Sequence, residues 1–116
     1  MWLKKFELDY WDLSLKQALE IVSRDVGAGD QGTVGVMNYP TMWGLQGNYR
    51  VHKASVKQRL ELIEQAENWR EAEYVIVNTT YAVMYNKEEY SELKKTYEMI
   101  GDIHSYGNLI CEIYRR

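Results

Sequence analysis

Apolar and polar positions alternate at the start of the chain, and this period of two predicts a strand over residues 2–10. Ser14 comes next, with Gln17 three residues after it, a spacing that lets both side chains satisfy free amide groups at a helix start. Apolar residues then recur at helical spacing as far as Gly27, so the pattern predicts a helix over residues 14–26. The apolar side of the predicted strand carries Trp2, Phe6, Leu8 and Tyr10.

The pattern changes three times in the middle of the chain. Residues 33–38 are mostly apolar or β-branched and predict a second strand. Residues 39–48 contain the only proline, Pro40, together with two glycines, and predict a loop. Residues 49–53 alternate again and predict a short third strand.

The second half of the chain begins with another capping box, which predicts a helix over residues 55–72. Residues 74–85 are rich in β-branched and aromatic side chains, and favour either one long strand or a hairpin that turns near Thr79. Residues 86–100 carry an apolar stripe at helical spacing and predict a third helix. Residues 108–114 alternate and predict a last strand.

The two segments that open with capping boxes resemble each other. Residues 14–22 read SLKQALEIV and residues 55–63 read SVKQRLELI, an offset of 41 (55 minus 14) that also places residues 33–36 over residues 74–77 without a gap. The alternative is that any two amphipathic helices with capping boxes look alike. The repeat predicts an internally duplicated β-α-β-β-α-β chain, the ferredoxin-like order, with an antiparallel sheet and helices on one face. A C-terminal helix and strand would complete a single α+β domain over residues 1–116.

Length and charge narrow the possible functions. The chain has 116 residues, the usual size of one domain, and a net charge of −3 with an isoelectric point near 5.4. General nucleic-acid binding needs a dense basic patch, which this composition does not supply. No apolar run is long enough to span a bilayer, and residues 2–7 lack the apolar stretch of a secretion signal. The single cysteine, Cys111, has no partner within the chain and cannot form an internal disulfide, which favours a cytoplasmic protein. Because no apolar run could span a bilayer, we also expect no membrane contact.

Familiar catalytic and nucleotide-binding motifs are missing from the sequence. Residues 27–32 hold three glycines, but they follow a predicted helix and precede a predicted strand, the reverse of a dinucleotide loop. The chain has only two histidines, His52 and His104, and sequence does not bring them together. We therefore expect no cofactor, no catalytic residue and no metal site.

An enzymatic alternative depends on two carboxylates. Asp9 and Asp12 flank the end of the first predicted strand, a position from which carboxylates commonly hold a divalent metal. In this respect the sequence resembles the small ferredoxin-like nucleases associated with CRISPR systems, which place an acidic residue there. The resemblance implies a metal-dependent nuclease or hydrolase that uses Asp9 and Asp12. The opposing interpretation is that Asp12 only stabilises the positive end of the following helix.

Aromatic content is the unusual feature of the composition, because 10 Tyr and 4 Trp stand beside one Phe. Tyr and Trp combine an apolar body with a polar tip, which suits binding surfaces. The segment 39–50 concentrates them in a predicted loop, where binding residues are often carried. The alternative is that the tryptophan of this segment packs against the core. We expect the binding residues to be Tyr39, Trp43, Tyr49, Arg50 and the neighbouring His52.

These features favour a small non-enzymatic binding or regulatory protein. Its partner would be a protein or a nucleotide-like small molecule, held by the segment 39–50. The size, acidity and aromatic content also fit accessory or inhibitor proteins of phages and mobile elements. We expect a homo-oligomer in which sheet faces or edges meet.

Overall fold

The computed structural model describes residues 2–27, 30–105 and 107–116, with the side chains of residues 2–13, 105 and 108 excepted. In chain order the elements are α1 (Trp2–Val26), β1 (Gly32–Gly35), α2 (Tyr39–Arg50), α3 (Ala54–Lys57), β2 (Leu60–Leu62), a 3₁₀ helix (Ala66–Glu71), β3 (Tyr74–Asn78), α4 (Thr79–Tyr85), α5 (Lys87–Thr96), β4 (Glu98–Ser105) and β5 (Asn108–Arg115).

The first element is a helix of 25 residues, so the strand predicted over residues 2–10 is wrong. The stretch 2–26 contains neither glycine nor proline, and nothing in it interrupts a helix. Ser14 is a buried residue within this helix and not its first turn, so the capping box there is unused. The helix ends where predicted, because Gly27 adopts a φ of 84° that other residues rarely take.

The second helix replaces the loop predicted over residues 39–48 and the strand predicted over residues 49–53. The proline that suggested a loop lies in the first helical turn, where its missing N–H would have no partner in any case. Asn38 supplies the cap, since its side-chain oxygen accepts a hydrogen bond of 3.0 Å from the amide of Thr41. Pro40 therefore starts this helix and does not break it.

The helix predicted over residues 55–72 is also wrong. Only α3 is helical at its start, and the chain then forms β2 and the 3₁₀ helix. Leu60 and Leu62 alternate with Glu61, a period of two that fits an extended segment.

The C-terminal half agrees better with the sequence pattern. The residues predicted as one strand or a hairpin form β3 and then α4, capped by Asn78, whose side chain accepts from the amide of Tyr81. The third predicted helix and the last predicted strand are confirmed as α5 and β5. The third helix ends at Thr96 and not near residue 100 as predicted, because residues 98–100 begin strand β4, which was not predicted.

The strands form one five-stranded sheet in the order β2-β1-β3-β5-β4. Strand β1 pairs in parallel with both β2 and β3, whereas β5 pairs antiparallel with β3 and β4. The fold is therefore α+β with a mixed sheet. The antiparallel ferredoxin-like arrangement is not confirmed, since two of the strand pairs are parallel. The internal duplication is not confirmed either, because Leu19 lies in a helix and Leu60 in a strand.

Both faces of the sheet are covered, whereas helices were expected on one face only. On one face the sheet packs against α1, α2 and α3, with Leu19, Leu45 and Val56 among the buried contacts. On the other face it packs against the 3₁₀ helix, α4 and α5, with Trp69 and Leu93 at the centre. The result is a three-layer arrangement whose free sheet edges are β2 and β4. Within the described residues, no helix has the length and apolarity needed to cross a membrane.

Candidate binding surface

The outward face of α2 carries exposed aromatic side chains. Residues three or four positions apart share a helix face, which places Tyr39, Trp43, Gln46 and Arg50 in one stripe. Trp43 is 66% exposed and Tyr39 42% exposed, and their ring centroids are 6.4 Å apart. The opposite side of the helix enters the core. Trp43 therefore does not pack against the core as the alternative interpretation required, and we call this stripe the α2 face.

The start of α2 is held by a chain of polar contacts. The Asn38 side-chain amide donates to Asn86 at 3.0 Å, and the Asn86 amide donates to Glu89 at 2.8 Å. The indole N–H of the buried Trp69 donates to the same carboxylate of Glu89 at 3.0 Å. Because these residues come from both helical layers, the first turn of α2 has a fixed position relative to the sheet.

A groove of about 900 Å³ runs between the second half of α2 and the edge strand β2, and we call it the edge groove. Gln46, Tyr49 and Arg50 form its helical wall. Lys57 and Gln58 contribute from the turn before β2, and residues 60–65 form the strand side. The α2 face continues directly into this groove, since Gln46 and Arg50 belong to both.

Strand β2 presents unused backbone groups to the groove. Its pairing with β1 uses Arg59, whose carbonyl accepts from the Gly32 amide at 2.8 Å, and Ile63, whose amide donates to the Val34 carbonyl at 2.8 Å. Because the direction of backbone groups alternates along a strand, the groups of Leu60 and Leu62 point away from β1. These outward groups are an edge on which another strand can pair.

Tyr49 occupies part of that edge. Its hydroxyl lies 3.2 Å from the carbonyl oxygen of Leu60 and 3.2 Å from that of Lys57, and donates to them. A carbonyl oxygen has two lone pairs, so the Leu60 carbonyl retains one for a second donor. The amide of Leu60 and both backbone groups of Leu62 remain directed outward.

The two ends of the edge groove carry opposite charge. Helix α2 runs antiparallel to β2, so Arg50 lies beside Lys57, whose ammonium donates to the Arg50 carbonyl at 3.2 Å. At the other end Glu64 follows β2, and Glu61 lines the groove from within the strand. Glu67, on the 3₁₀ helix, accepts a hydrogen bond of 2.6 Å from Tyr39. That hydrogen bond lowers the pKa of Glu67 and raises the pKa of Tyr39. Glu67 therefore stays charged near neutral pH.

His52, the fifth predicted binding residue, lies away from this surface. Its ring is buried, and Nδ1 accepts a hydrogen bond of 2.8 Å from the Lys53 amide. Nε2 then carries the proton and lies 3.3 Å from the Lys16 carbonyl and 3.7 Å from Glu20. His52 thus joins α1 to the turn after α2, whereas Tyr39, Trp43, Tyr49 and Arg50 are brought together on the surface.

The two residues of the enzymatic alternative do not lie at the end of a strand, where the sequence predicted them. Residues 9 and 12 lie within α1 and not at the end of a strand, and the side chains of Asp9 and Asp12 lie outside the described residues. In the part of the chain whose side chains are described, no group of three or more His, Cys, Asp or Glu is placed to hold a metal. Cys111 is fully buried, and this burial raises the pKa of its thiol to about 12. A thiol with such a pKa is a poor nucleophile.

A second apolar patch lies on the other helical layer. Val83, Met84 and Tyr85 at the end of α4 are each more than half exposed. Tyr85 pairs with Tyr81 at a ring-centroid distance of 5.9 Å. Tyr85 is 65% exposed, which makes it a matched reference for Trp43.

The strand side of the site could not be recognised as a surface while residues 55–72 were interpreted as a helix. Lys57, Glu64 and the backbone of β2 were missed for that reason. The available signal was the short alternation of Leu60, Glu61 and Leu62. Comparisons of the chain with protein-family models, with curated proteins and with solved structures found no match.

Proposed function

We propose that this protein is a non-enzymatic binding protein that holds an extended segment of another protein chain across the α2 face and the edge groove. The observation that carries the proposal is Trp43, which projects into solvent from a helix fixed at its first turn and beside an open strand edge. Its function would be recognition, in the manner of an accessory or inhibitor protein, which needs no catalytic group. The proposed setting is the cytoplasm, where the single thiol of Cys111 stays reduced.

The exposed aromatic pair supplies the energy of such binding. Burying an aromatic side chain stabilises a complex by roughly 2–3 kcal/mol, and Tyr and Trp are enriched among residues that dominate interfaces. Tyr39 is already oriented by its hydrogen bond to Glu67, so little conformational entropy is lost when a partner covers it.

The charges and backbone groups favour a protein segment over a nucleotide-like ligand. A phosphate group would be attracted to Arg50 and Lys57 but repelled by Glu61 and Glu64, which line the same groove. The outward N–H and C=O groups of β2 match those of an extended peptide backbone. We therefore place a polypeptide in the groove.

Selection from a random peptide display library tests this function. The protein is immobilised at low density, and enriched peptides are measured against wild type, Trp43→Ala and the matched control Tyr85→Ala. We expect enrichment of extended peptides that bind wild type and Tyr85→Ala equally and bind Trp43→Ala about tenfold more weakly or worse. Peptides that bind Trp43→Ala as well as wild type, or no enrichment at all, would contradict the proposal. Melting curves of both variants verify that the fold is retained.

A further inference from the structure

We infer that the segment bound at the edge groove is strand β2 of a second copy of this chain, so that two five-stranded sheets join into one. This inference rests on the proposed function, because it names the polypeptide that the α2 face and the edge groove hold. It follows from three properties of the surface: the directions of the backbone groups, the order of the charges and an open position on α2.

The backbone groups are self-complementary. In an antiparallel pair, facing residues alternate between pairs that exchange two hydrogen bonds and pairs that exchange none. A two-fold axis perpendicular to the sheet brings β2 of one copy antiparallel to β2 of the other, and the outward groups of Leu60 and Leu62 then meet the same groups of the second copy. One surface patch satisfies both copies, as the commonest kind of dimer requires.

The charges at the two ends of β2 favour the antiparallel arrangement, whereas the exposed Glu61 in the middle of the strand faces Glu61 of the second copy and opposes the pairing. Strand β2 is preceded by Lys57, beside Arg50, and followed by Glu64. Glu67 lies three residues further along the chain, in the 3₁₀ helix. Antiparallel pairing places the cationic end of one copy beside the acidic end of the other, twice per dimer. Parallel pairing would place like charges together, which disfavours association.

Helix α2 contains an exposed glycine that the single chain does not explain. A Cβ atom added at Gly47 would meet nothing within 4 Å, yet glycine costs about 1 kcal/mol relative to alanine inside a helix. The two-fold axis places the two α2 helices antiparallel over the joined edge. With the axis near Leu45, Trp43 of each copy faces Gly47 of the other, which leaves room for the indole.

The same arrangement accounts for an exposed apolar residue beyond the end of α2. Val51 is 85% exposed and follows the helix directly. In the antiparallel helix pair it faces Tyr39 of the second copy. The dimer therefore covers the large apolar side chains that this side of the molecule leaves in water.

Light scattering with two charge-reversed variants tests the inference. The acidic variant carries Arg50→Glu with Lys57→Glu, and the basic variant carries Glu64→Lys with Glu67→Lys. Arg50, Glu64 and Glu67 are exposed and Lys57 is half-buried; the control is Lys94→Glu with Lys95→Glu on α5, both of which are exposed. We expect wild type and the control to have twice the mass of the chain. We expect each charge-reversed variant alone to associate about tenfold more weakly or worse, because like charges then meet at both ends of the groove.

Light scattering on a mixture of the two charge-reversed variants is the most specific test of this pairing. The acidic ends of one variant then meet the basic ends of the other, so we expect the mixture to recover the dimer mass. A wild type that is monomeric at its solubility limit, or charge-reversed variants that dimerise like wild type, would overturn the inference. If wild type is monomeric while selected peptides still depend on Trp43, this inference fails and the proposed function stands.

Discussion

The hydroxyl of Tyr49 lies 3.2 Å from the carbonyl oxygen of Leu60, so the last turn of α2 is bonded to the edge strand β2. The ring of Tyr49 is half-buried and packs against the core formed by α1, α2 and the sheet. Helix and strand therefore form the two walls of one rigid groove. This contact holds the last turn of α2 beside the backbone of Leu60.

Removing that hydroxyl should destabilise the fold only slightly. Tyr49→Phe keeps the ring and its packing but leaves two carbonyl oxygens without a donor, so we expect a loss of about 1 kcal/mol in the free energy of unfolding. Urea unfolding at low protein concentration measures it. Tyr85→Phe at the end of α4, where the side chain is 65% exposed, is the comparison. A loss above about 3 kcal/mol would mean that Tyr49 has a larger role than this hydrogen bond.

Replacing two glycines by alanine should change the free energy of unfolding in opposite directions. Gly47→Ala adds a methyl group to open space in a helix and should raise the free energy of unfolding of the monomer by about 0.5–1 kcal/mol. Gly35→Ala should lower it by about 1–2 kcal/mol, because the new Cβ would lie 3.1 Å from Ala72 Cβ and 3.2 Å from Trp69 Cα. Urea unfolding at low protein concentration measures both changes. If the two variants change the free energy of unfolding by the same amount and in the same direction, the space around these two glycines is not as described.

Stability in acid should depend on Asp25. The hydrogen bond from Tyr74, at 2.6 Å, and the charge of Arg115 hold the pKa of Asp25 below its ordinary value of 3.8, although burial opposes the shift. Because the folded pKa is the lower one, this contribution is present above pH 3.8 and is lost as pH falls through the folded pKa. Asp25→Asn should therefore lose less unfolding free energy than wild type as pH falls below 4, as measured by urea unfolding at a series of pH values.

Alkaline stability should depend on the tyrosines. Burial and the hydrogen bond to Asp25 raise the pKa of Tyr74 to about 12, and burial with the hydrogen bond to Glu112 raises the pKa of Tyr90 to about 12. Their neutral forms stabilise the fold below pH 10, and this contribution is lost as pH rises toward 12. In a pH titration followed by tyrosinate absorbance, some tyrosines should ionise well above pH 10. Their ionisation should coincide with unfolding, which is seen as loss of circular dichroism. A single transition for all ten tyrosines near pH 10 would contradict these environments.

Sequence predicted the elements whose boundaries are set by local chemistry. Gly27 ends α1 because its φ is positive, and the alternation of residues 108–114 identifies β5. Residues 2–10 were misassigned because a short alternation at Phe6, Leu8 and Tyr10 also fits one face of a helix at Leu3, Phe6, Tyr10 and Leu13. The absence of glycine and proline over the whole stretch favoured the helix.

The candidate site was predicted in part, for a physical reason. The aromatic content of segment 39–50 indicated Tyr39 and Trp43 as binding residues. Pro40 suggested that they lie in a loop, but proline is also favoured in the first turn of a helix, which is where it lies. The edge groove depends on the parallel pairing of β1 and β2, which joins residues far apart in the chain. No local pattern near Leu60 encodes that pairing, so the sequence alone does not predict the strand side of the groove.

Amide hydrogen exchange along β2, followed as protein concentration rises, tests most directly whether another chain pairs with this edge. We predict that the amide of Ile63 is protected at every concentration, since it bonds to β1. The amides of Leu60 and Leu62 should exchange rapidly when the protein is dilute and become protected as it associates. Exchange at Leu60 and Leu62 that stays rapid at all concentrations and in the presence of selected peptides would contradict the account.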